Sequence, residues 1–205
     1  MKIALFGNPN TGKSSVFNML TGLRQQVGNF PGVTVEKKSG LFKIADKEYT
    51  LTDFPGTYSI YPRTKDEEVV YRVLTDQSSK EYPELALVIL NASQLKRNLL
   101  LCSQLYDLKI PLIIVVNMSD IAQRKGISID LEKLEELFPG CAVVSTNARI
   151  GIGKDRLLKA ISNFDFEKYS TNKRLVLTNF EAASIEDLTK QVSETKERTD
   201  WIDSV

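Results

Sequence analysis

The residues best suited to chemistry lie near the start of the chain. There Gly7-Asn8-Pro9-Asn10-Thr11-Gly12-Lys13-Ser14 fits the spacing GxxxxGKS, between an apolar run and a helical pattern. A loop carrying two glycines lets several backbone N–H groups converge on one point, and the positive end of the helix that follows faces the same point. Such a loop is a receptor for phosphate oxygens. Gly7 to Ser15 form the candidate phosphate-binding segment: Lys13 can reach β- and γ-phosphates, and Ser14 can offer its hydroxyl to Mg²⁺. A glycine turn beside a solvated lysine is the ordinary alternative, and the strand-before, helix-after context argues against it.

Three further elements complete a set in a telling order. Asp53-Phe54-Pro55-Gly56 supplies a carboxylate for the magnesium shell and a Gly56 N–H for a γ-phosphate, with Pro55 and Gly56 as pivots of a switching loop. Asn117-Met118-Ser119-Asp120 places a carboxylate that can accept from guanine N1–H and N2–H₂, a donor pair adenine lacks, while Asn117 braces the loops. The common form of this element has lysine where Met118 stands, so weak nucleotide affinity and fast GDP release are expected. Ser145-Thr146-Asn147 can turn a backbone N–H toward guanine O6. Thr34, preceded by Gly32 and Val33, offers a hydroxyl to Mg²⁺ and an N–H to the γ-phosphate.

The elements that must hold these residues follow from the apolar periodicity. Strands are expected at Lys2 to Phe6, Leu85 to Leu90, Leu112 to Asn117 and Ala142 to Ser145. Helices are expected at Lys13 to Thr21, Asp66 to Asp76, Gln94 to Asp107, Asp130 to Leu137 and Lys154 to Asn163. Strands alternating with helices predict an α/β fold with a mostly parallel sheet covered on both faces, which puts all four motifs at the carboxyl edge. Val35 to Asp53 turns over near Ala45 to Lys47 with no room for a helix, predicting a hairpin and one antiparallel edge strand. Asp165 to Asn179 reads as a boundary. Beyond it a three- and four-residue apolar rhythm predicts one helix from Ser184, with Asp187 in a capping box, to Val205. The expected division is a P-loop domain over 1–165 and a linker with a helical segment over 166–205.

Composition narrows the function classes. With 27 basic and 26 acidic residues in 205, the chain carries no field that would favour nucleic acid. It contains no histidine, which removes His-ligated zinc and the Ser/His/Asp and Cys/His nucleophile arrangements. Cys102 and Cys141 are expected to be core thiols of a reduced compartment. The apolar runs are far short of the roughly 20 residues that span a bilayer, and Met1 to Phe6 is too short for a secretory signal core.

With these residues placed, the chain resembles GTPases of the translation-factor-related P-loop class, and within that class the cytoplasmic G domain of the ferrous iron transport protein B family. The resemblance covers roughly Lys2 to Ile161. It rests on the phosphate loop, on Val27-Gly28-Asn29-Phe30-Pro31-Gly32-Val33-Thr34-Val35-Glu36, on Asp53 through Ser59, and on Asp66-Glu67, Arg97-Asn98-Leu99 and Asn117 through Asp120. It implies a Ras-like mixed sheet and a GTP/GDP switch that regulates Fe²⁺ passage. The transport domain would be membrane-embedded and lie beyond Val205, with this domain at the cytoplasmic face of the inner membrane. A homo-oligomer is compatible with this, and no nucleic-acid partner is implied. The family's helical part has several helices, whereas one is evident here.

Thr57 stands where Ras-like enzymes carry a water-orienting glutamine, and its side chain is too short for that task. Charge stabilisation must come from a partner's arginine, from Arg24 or Arg63, or from a bound cation. Asn10 resembles the P-loop asparagine of potassium-activated GTPases, which implies K⁺ held by Asn10 and by carbonyls near Gly28 and Phe30. Lys13, Asn10, Thr34 and Gly56 are then the residues that touch the reacting phosphate or its counter-charge. Three rival readings fit the sequence less well or only in part. An RNA-associated GTPase lacks its basic appendage, Asp120 speaks against an ATP-using kinase, and a non-hydrolysing GTP sensor draws support from Thr57. Lys37 and Lys38 are expected to be exposed residues of the edge strand.

Overall fold

The computed structural model describes residues 1–171 and 182–195. Its main sheet has seven strands in the order β2-β3-β4-β1-β5-β6-β8. These are β1 Lys2–Gly7, β2 Gln25–Asn29, β3 Glu36–Ile44, β4 Lys47–Asp53, β5 Leu85–Asn91, β6 Leu112–Asn117 and β8 Ala142–Ser145. Strand β5 (LALVILN) and strand β6 (LIIVVN), both inside the sheet, are buried along their whole length, which is why they read as apolar runs up to the asparagine that ends each. Along β1 the side chains alternate between two layers: Ile3 and Leu5 pack with Phe17, Leu20 and Leu157 on one face, and Ala4 and Phe6 with Val70, Leu99 and Leu105 on the other.

The parallel pairs β4–β1–β5–β6–β8 bring the ends of β1, β4, β6 and β8 to one edge, as expected. The expected hairpin is present as β3 and β4, turning at Ala45, whose φ of 49° is left-handed. Strand β3 runs against the rest, but it is not outermost. Gln25–Asn29 adds β2 outside it, exposed at every residue; without an inward apolar side the period-2 signal was absent.

The helices α1 Lys13–Thr21, α2 Lys65–Thr75, α3 Leu95–Asp107, α5 Leu131–Leu137 and α6 Lys154–Ser162 fall within a residue of expectation. Helix α4, Ser119–Arg124, follows β6 directly and leads into the short strand β7, Ile127–Ile129; neither was legible because each is under two turns or four residues long.

The chain beyond residue 163 departs from expectation. Phe166–Thr171 forms helix α7, which anchors itself by burying Tyr169, whose hydroxyl donates to the Ile110 carbonyl. Helix α8 covers Ala182–Val192, so Ser184 is already inside it, and it does not run on. Ser193–Thr195 becomes β9, antiparallel to β7, and the Asp130 N–H donates 2.8 Å to the Val192 carbonyl at the changeover. Pairing with β7 satisfies backbone groups that a longer helix would have satisfied internally. The expected helical positions Thr199, Ile202 and Val205 lie outside the described residues. Ile185 and Val192 are buried with Leu134 and Cys102 in the same core. Both cysteines are buried thiols outside any disulfide, and burial pushes the Cys102 thiol well above its ordinary range, with Cys141 adding to the shift. No helix among the described residues is long and apolar enough to cross a membrane.

Candidate functional site

The phosphate loop joins β1 to α1. Gly12 caps the helix at φ 85° with no side-chain cap, and no acidic residue stands in the first turn. The first N–H groups of α1 are therefore left for an outside acceptor, and the helix dipole is uncompensated there. Gly7 and Gly12 are required by close approach: a Cβ on Gly7 would lie 2.7 Å from the Ile89 carbonyl, and one on Gly12 would lie 2.3 Å from Asn117 Nδ2. Within the loop, Thr11 Oγ1 donates 2.9 Å to the Asn8 carbonyl, while Asn10 is exposed at a left-handed φ of 65°. Pro9 and Ser14 are exposed, and Ser15 is half-buried.

Register carries Asp53 to the same place. It ends β4 beside Leu5 of β1, and its Oδ1 lies 2.8 Å from Lys13 Nζ, with both side chains largely shielded. The next residues fold against the phosphate loop. Phe54 N–H donates 3.2 Å to the Leu5 carbonyl, Thr57 N–H donates 3.1 Å to the Gly7 carbonyl, and a Cβ on Gly56 would meet Pro9 N at 3.1 Å. Phe54 fills the core between the Phe6 and Phe30 rings, at 4.9 and 5.0 Å. Pro55 is half-buried beside it. Thr57 is fully buried, and its hydroxyl is held by the Ser59 carbonyl at 2.5 Å and Glu67 Oε1 at 3.2 Å, so it cannot turn toward a nucleotide without leaving both.

The base-side loops are joined through one amide. Asn117 is 2% exposed; its Nδ2 donates 3.0 Å to the Thr11 carbonyl, and its Oδ1 accepts from Thr146 Oγ1 at 3.1 Å and the Ala148 N–H at 3.0 Å. The expectation that Asn117 ties loops together takes a definite form: phosphate loop, NxxD loop and Ser145-Thr146-Asn147 loop share this side chain. Met118 sits at φ 63°, with its methyl carbon 3.3 Å from a Cβ built on Gly12, so its stem lies over the phosphate loop. Asp120 stands in the first turn of α4 with Arg124 Nη2 3.0 Å from its Oδ2. Ser119 Oγ donates 3.2 Å to the Thr146 carbonyl, closing the pair of loops from the other side.

The segment carrying Gly28, Phe30, Gly32, Val33 and Thr34 meets these residues through the Phe30 ring, which packs on Phe54. Gly28 pairs with Lys37 in the β2–β3 ladder, three strand positions from β1, about 14 Å across a sheet. Phe30 is 2% exposed and closes a turn with Val33, whose N–H donates 3.3 Å to its carbonyl. Gly32 and Thr34 are exposed. Lys37 departs from the solvated role expected of it: its Nζ lies 2.5 Å from Glu81 Oε2 and 6.0 Å from the Phe30 ring.

Sequence reasoning missed the contribution of α3. Asn8 is 2% exposed, and its Nδ2 donates 3.1 Å to the Arg97 carbonyl; the Arg97 guanidinium lies 4.3 Å from the Tyr58 ring centre. A main-chain acceptor 89 residues away leaves no local signal.

A phosphate loop with an uncapped helix end, a lysine paired to the DxxG carboxylate, and an NxxD loop locked to both define a P-loop nucleotide-binding domain of the GTPase class. A family model described as ferrous iron transport protein B matches residues 1–161, and the chain belongs to that family. The Fe(2+) transporter FeoB of Leptospira biflexa is 39% identical over 173 residues, 84% of this chain and 24% of the relative. That of Legionella pneumophila (strain Lens) is 42% identical over 161 residues, 77% of this chain and 21% of the relative. Among solved structures, the cytosolic domain of L. pneumophila FeoB matches with a TM-score of 0.75 at 40% identity, over 80% of this chain and 64% of that one. A mutant of S. thermophilus NFeoB bound to GDP matches with a TM-score of 0.72 at 40% identity, over 80% and 61%. The chain thus spans about a quarter or less of the length of these transporters.

Proposed function

We propose that this domain binds GTP and GDP with Mg²⁺ and hydrolyses GTP with stimulation by K⁺. The two nucleotide states then control Fe²⁺ uptake through a membrane-embedded domain of the same polypeptide beyond Val205, at the cytoplasmic face of the inner membrane. The observation that carries the nucleotide part is the Asn117 amide, which makes the phosphate-binding and base-binding loops one rigid receptor. Relatives named as Fe(2+) transporters support the link to iron uptake, and a similar structure bound to GDP supports the guanine nucleotide.

The roles follow from position. Backbone N–H groups of Asn10 to Ser15 and the Lys13 ammonium hold the phosphates, with Asn8 and Pro9 shaping the loop, Asp120 accepts from guanine, and Ser145 to Asn147 line the base. Ser14 and Asp53 present oxygens at the two sides of the α1 N-terminus, a hard donor set that suits Mg²⁺, with Thr34 joining once its loop folds over. Asn10 has an exposed amide with no hydrogen bond among the described residues, so its oxygen is open to a monovalent cation. Gly28 can add its carbonyl only after β2 leaves β3, and Phe30 only after its carbonyl leaves the Val33 N–H. Bound there, the cation would supply the fixed positive charge that Thr57 does not. Thr34 and Gly56 would then offer their N–H groups to the γ-phosphate.

The test is phosphate release from GTP with Mg²⁺ in matched KCl and NaCl, with ATP as a competitor. Faster release in KCl, lost in Asn10→Ala, and no competition by ATP are expected. Equal rates in both salts, or an Asn10→Ala protein as fast as the parent in KCl, would remove the cation.

A further inference from the structure

Arg97 lies in the first turn of α3, outside every nucleotide motif, yet it touches two of them. Its carbonyl accepts from Asn8 Nδ2, and Asn8 Oδ1 is buried with no partner, so the bond to Arg97 is what orients that carboxamide. Its guanidinium rests 4.3 Å from the centre of the Tyr58 ring. Tyr58 is the residue after Thr57, whose N–H is bonded to the Gly7 carbonyl, and Gly56 packs on Pro9 immediately before it. Arg97 thereby grips the phosphate loop by its main chain and the DxxG segment by its side chain.

In the conformation so gripped, Lys13, which reaches toward the γ-phosphate, is engaged with protein, and the DxxG segment lies on the phosphate loop. Lys13 is paired with Asp53, and the Gly56-Thr57 backbone lies against Gly7 and Pro9. For Gly56 N–H to meet a γ-phosphate, the segment must move off the phosphate loop, and Tyr58 moves with it. The outer side of the stack faces an open groove of about 830 Å³, lined among others by Tyr61, Leu100, Ile185 and Thr189, so the ring has space to swing away from Arg97.

We propose that Arg97 is a positioning residue that holds the DxxG segment in this conformation through the face of Tyr58, and so sets the preference of the domain between nucleoside di- and triphosphate. A contact present in one state and broken in the other shifts the equilibrium by its own free energy. A cation over an aromatic ring at a half-exposed site corresponds to roughly a two- to fivefold change in that equilibrium. The proposal rests on the GTPase function above, and the two fail differently. A parent protein that binds neither nucleotide overturns that function, whereas only the ratio among variants tests the latch.

The experiment is equilibrium binding of GDP and of a non-hydrolysable GTP analogue to the 205-residue protein and its variants. Arg97→Ala and Tyr58→Leu should each raise the affinity for the analogue relative to GDP roughly two- to fivefold, with the double variant no further shifted than either single one. Tyr58→Phe keeps the ring face and should stay at the parental ratio, and Arg97→Lys should fall between. A merely structural arginine would lower both affinities together. An unchanged ratio in Tyr58→Leu, additive effects in the double variant, or a Tyr58→Phe protein that behaves like Tyr58→Leu would overturn the proposal. Because Tyr58 is 38% exposed, its variants test the latch even where Arg97→Ala does not fold.

Discussion

Replacing Asn117 by alanine removes one bond donated to the Thr11 carbonyl and two accepted from Thr146 Oγ1 and the Ala148 N–H. The Thr146 hydroxyl can rotate to another acceptor, but the Thr11 carbonyl and the Ala148 N–H are fixed by the backbone, and the site is 2% exposed. Each buried group left without a partner costs about 1–3 kcal/mol, so the expected loss is about 3 kcal/mol after water enters the space left by the amide. For a domain of this size that is a fall in Tm of roughly 6–12 °C. Asn117→Asp separates the two halves of the argument. Its carboxylate keeps both accepted bonds, yet it loses the donor and sets an anionic oxygen against the Thr11 carbonyl, which raises its pKa in the folded state. Protonation restores a donor, so the stability of this variant relative to the parent should recover as pH falls through the raised value. Thermal unfolding followed by circular dichroism, without nucleotide and from pH 8 to pH 5, measures both. A drop under 2 °C for Asn117→Ala, or an Asn117→Asp protein equal to the parent at pH 8, would refute the claim that one amide locks the loops.

Gly12→Ala should weaken GDP binding, because its Cβ would meet Asn117 Nδ2 at 2.3 Å from a left-handed backbone and displace the phosphate loop; titration with a fluorescent GDP analogue checks it. Tyr169→Phe strands the buried Ile110 carbonyl and should cost about 1–2 kcal/mol in urea unfolding without altering GDP affinity. The folded protein holds the Cys102 proton where the unfolded chain would release it, so stability should fall as pH rises above the ordinary thiol value; Cys102→Ser, compared with the parent between pH 7 and pH 10, should flatten that decline. Thiol reagents should leave Cys102 unmodified in the folded protein at pH 8 and label it on unfolding.

The four motifs were legible because each depends on local chemistry: glycines where backbone must come close, a lysine at a helix start, a carboxylate at a strand end, and an amide followed by a carboxylate after an all-apolar strand. The alternation of short apolar runs with helical patterns was equally plain for β1, β5, β6 and β8; β5 and β6, buried along their whole length, are apolar up to the asparagine that ends each. Strand β2, helix α7 and strand β9 were not legible. Gln25–Asn29 and Ser193–Thr195 are strands only because a neighbour offers its edge, at β3 and at β7, and α7 is fixed by one tyrosine entering a core built elsewhere. The helical rhythm read from Ser184 to Val205 holds as far as Val192, where pairing with Ile127–Ile129 takes over.

What the sequence determined by itself is therefore the set of groups a nucleotide needs and the central strands that carry them to one edge, because spacing along a strand, turn or helix start is a short-range property. The tertiary structure decided which of those groups meet. It joined Asn117 to Thr11 and Ala148, and Lys13 to Asp53. It held Gly28 and Asn29 on β3, and it set Arg97 between Asn8 and Tyr58. Each of these contacts spans a long stretch of chain, and contacts of that kind are selected by the packing of the whole sheet.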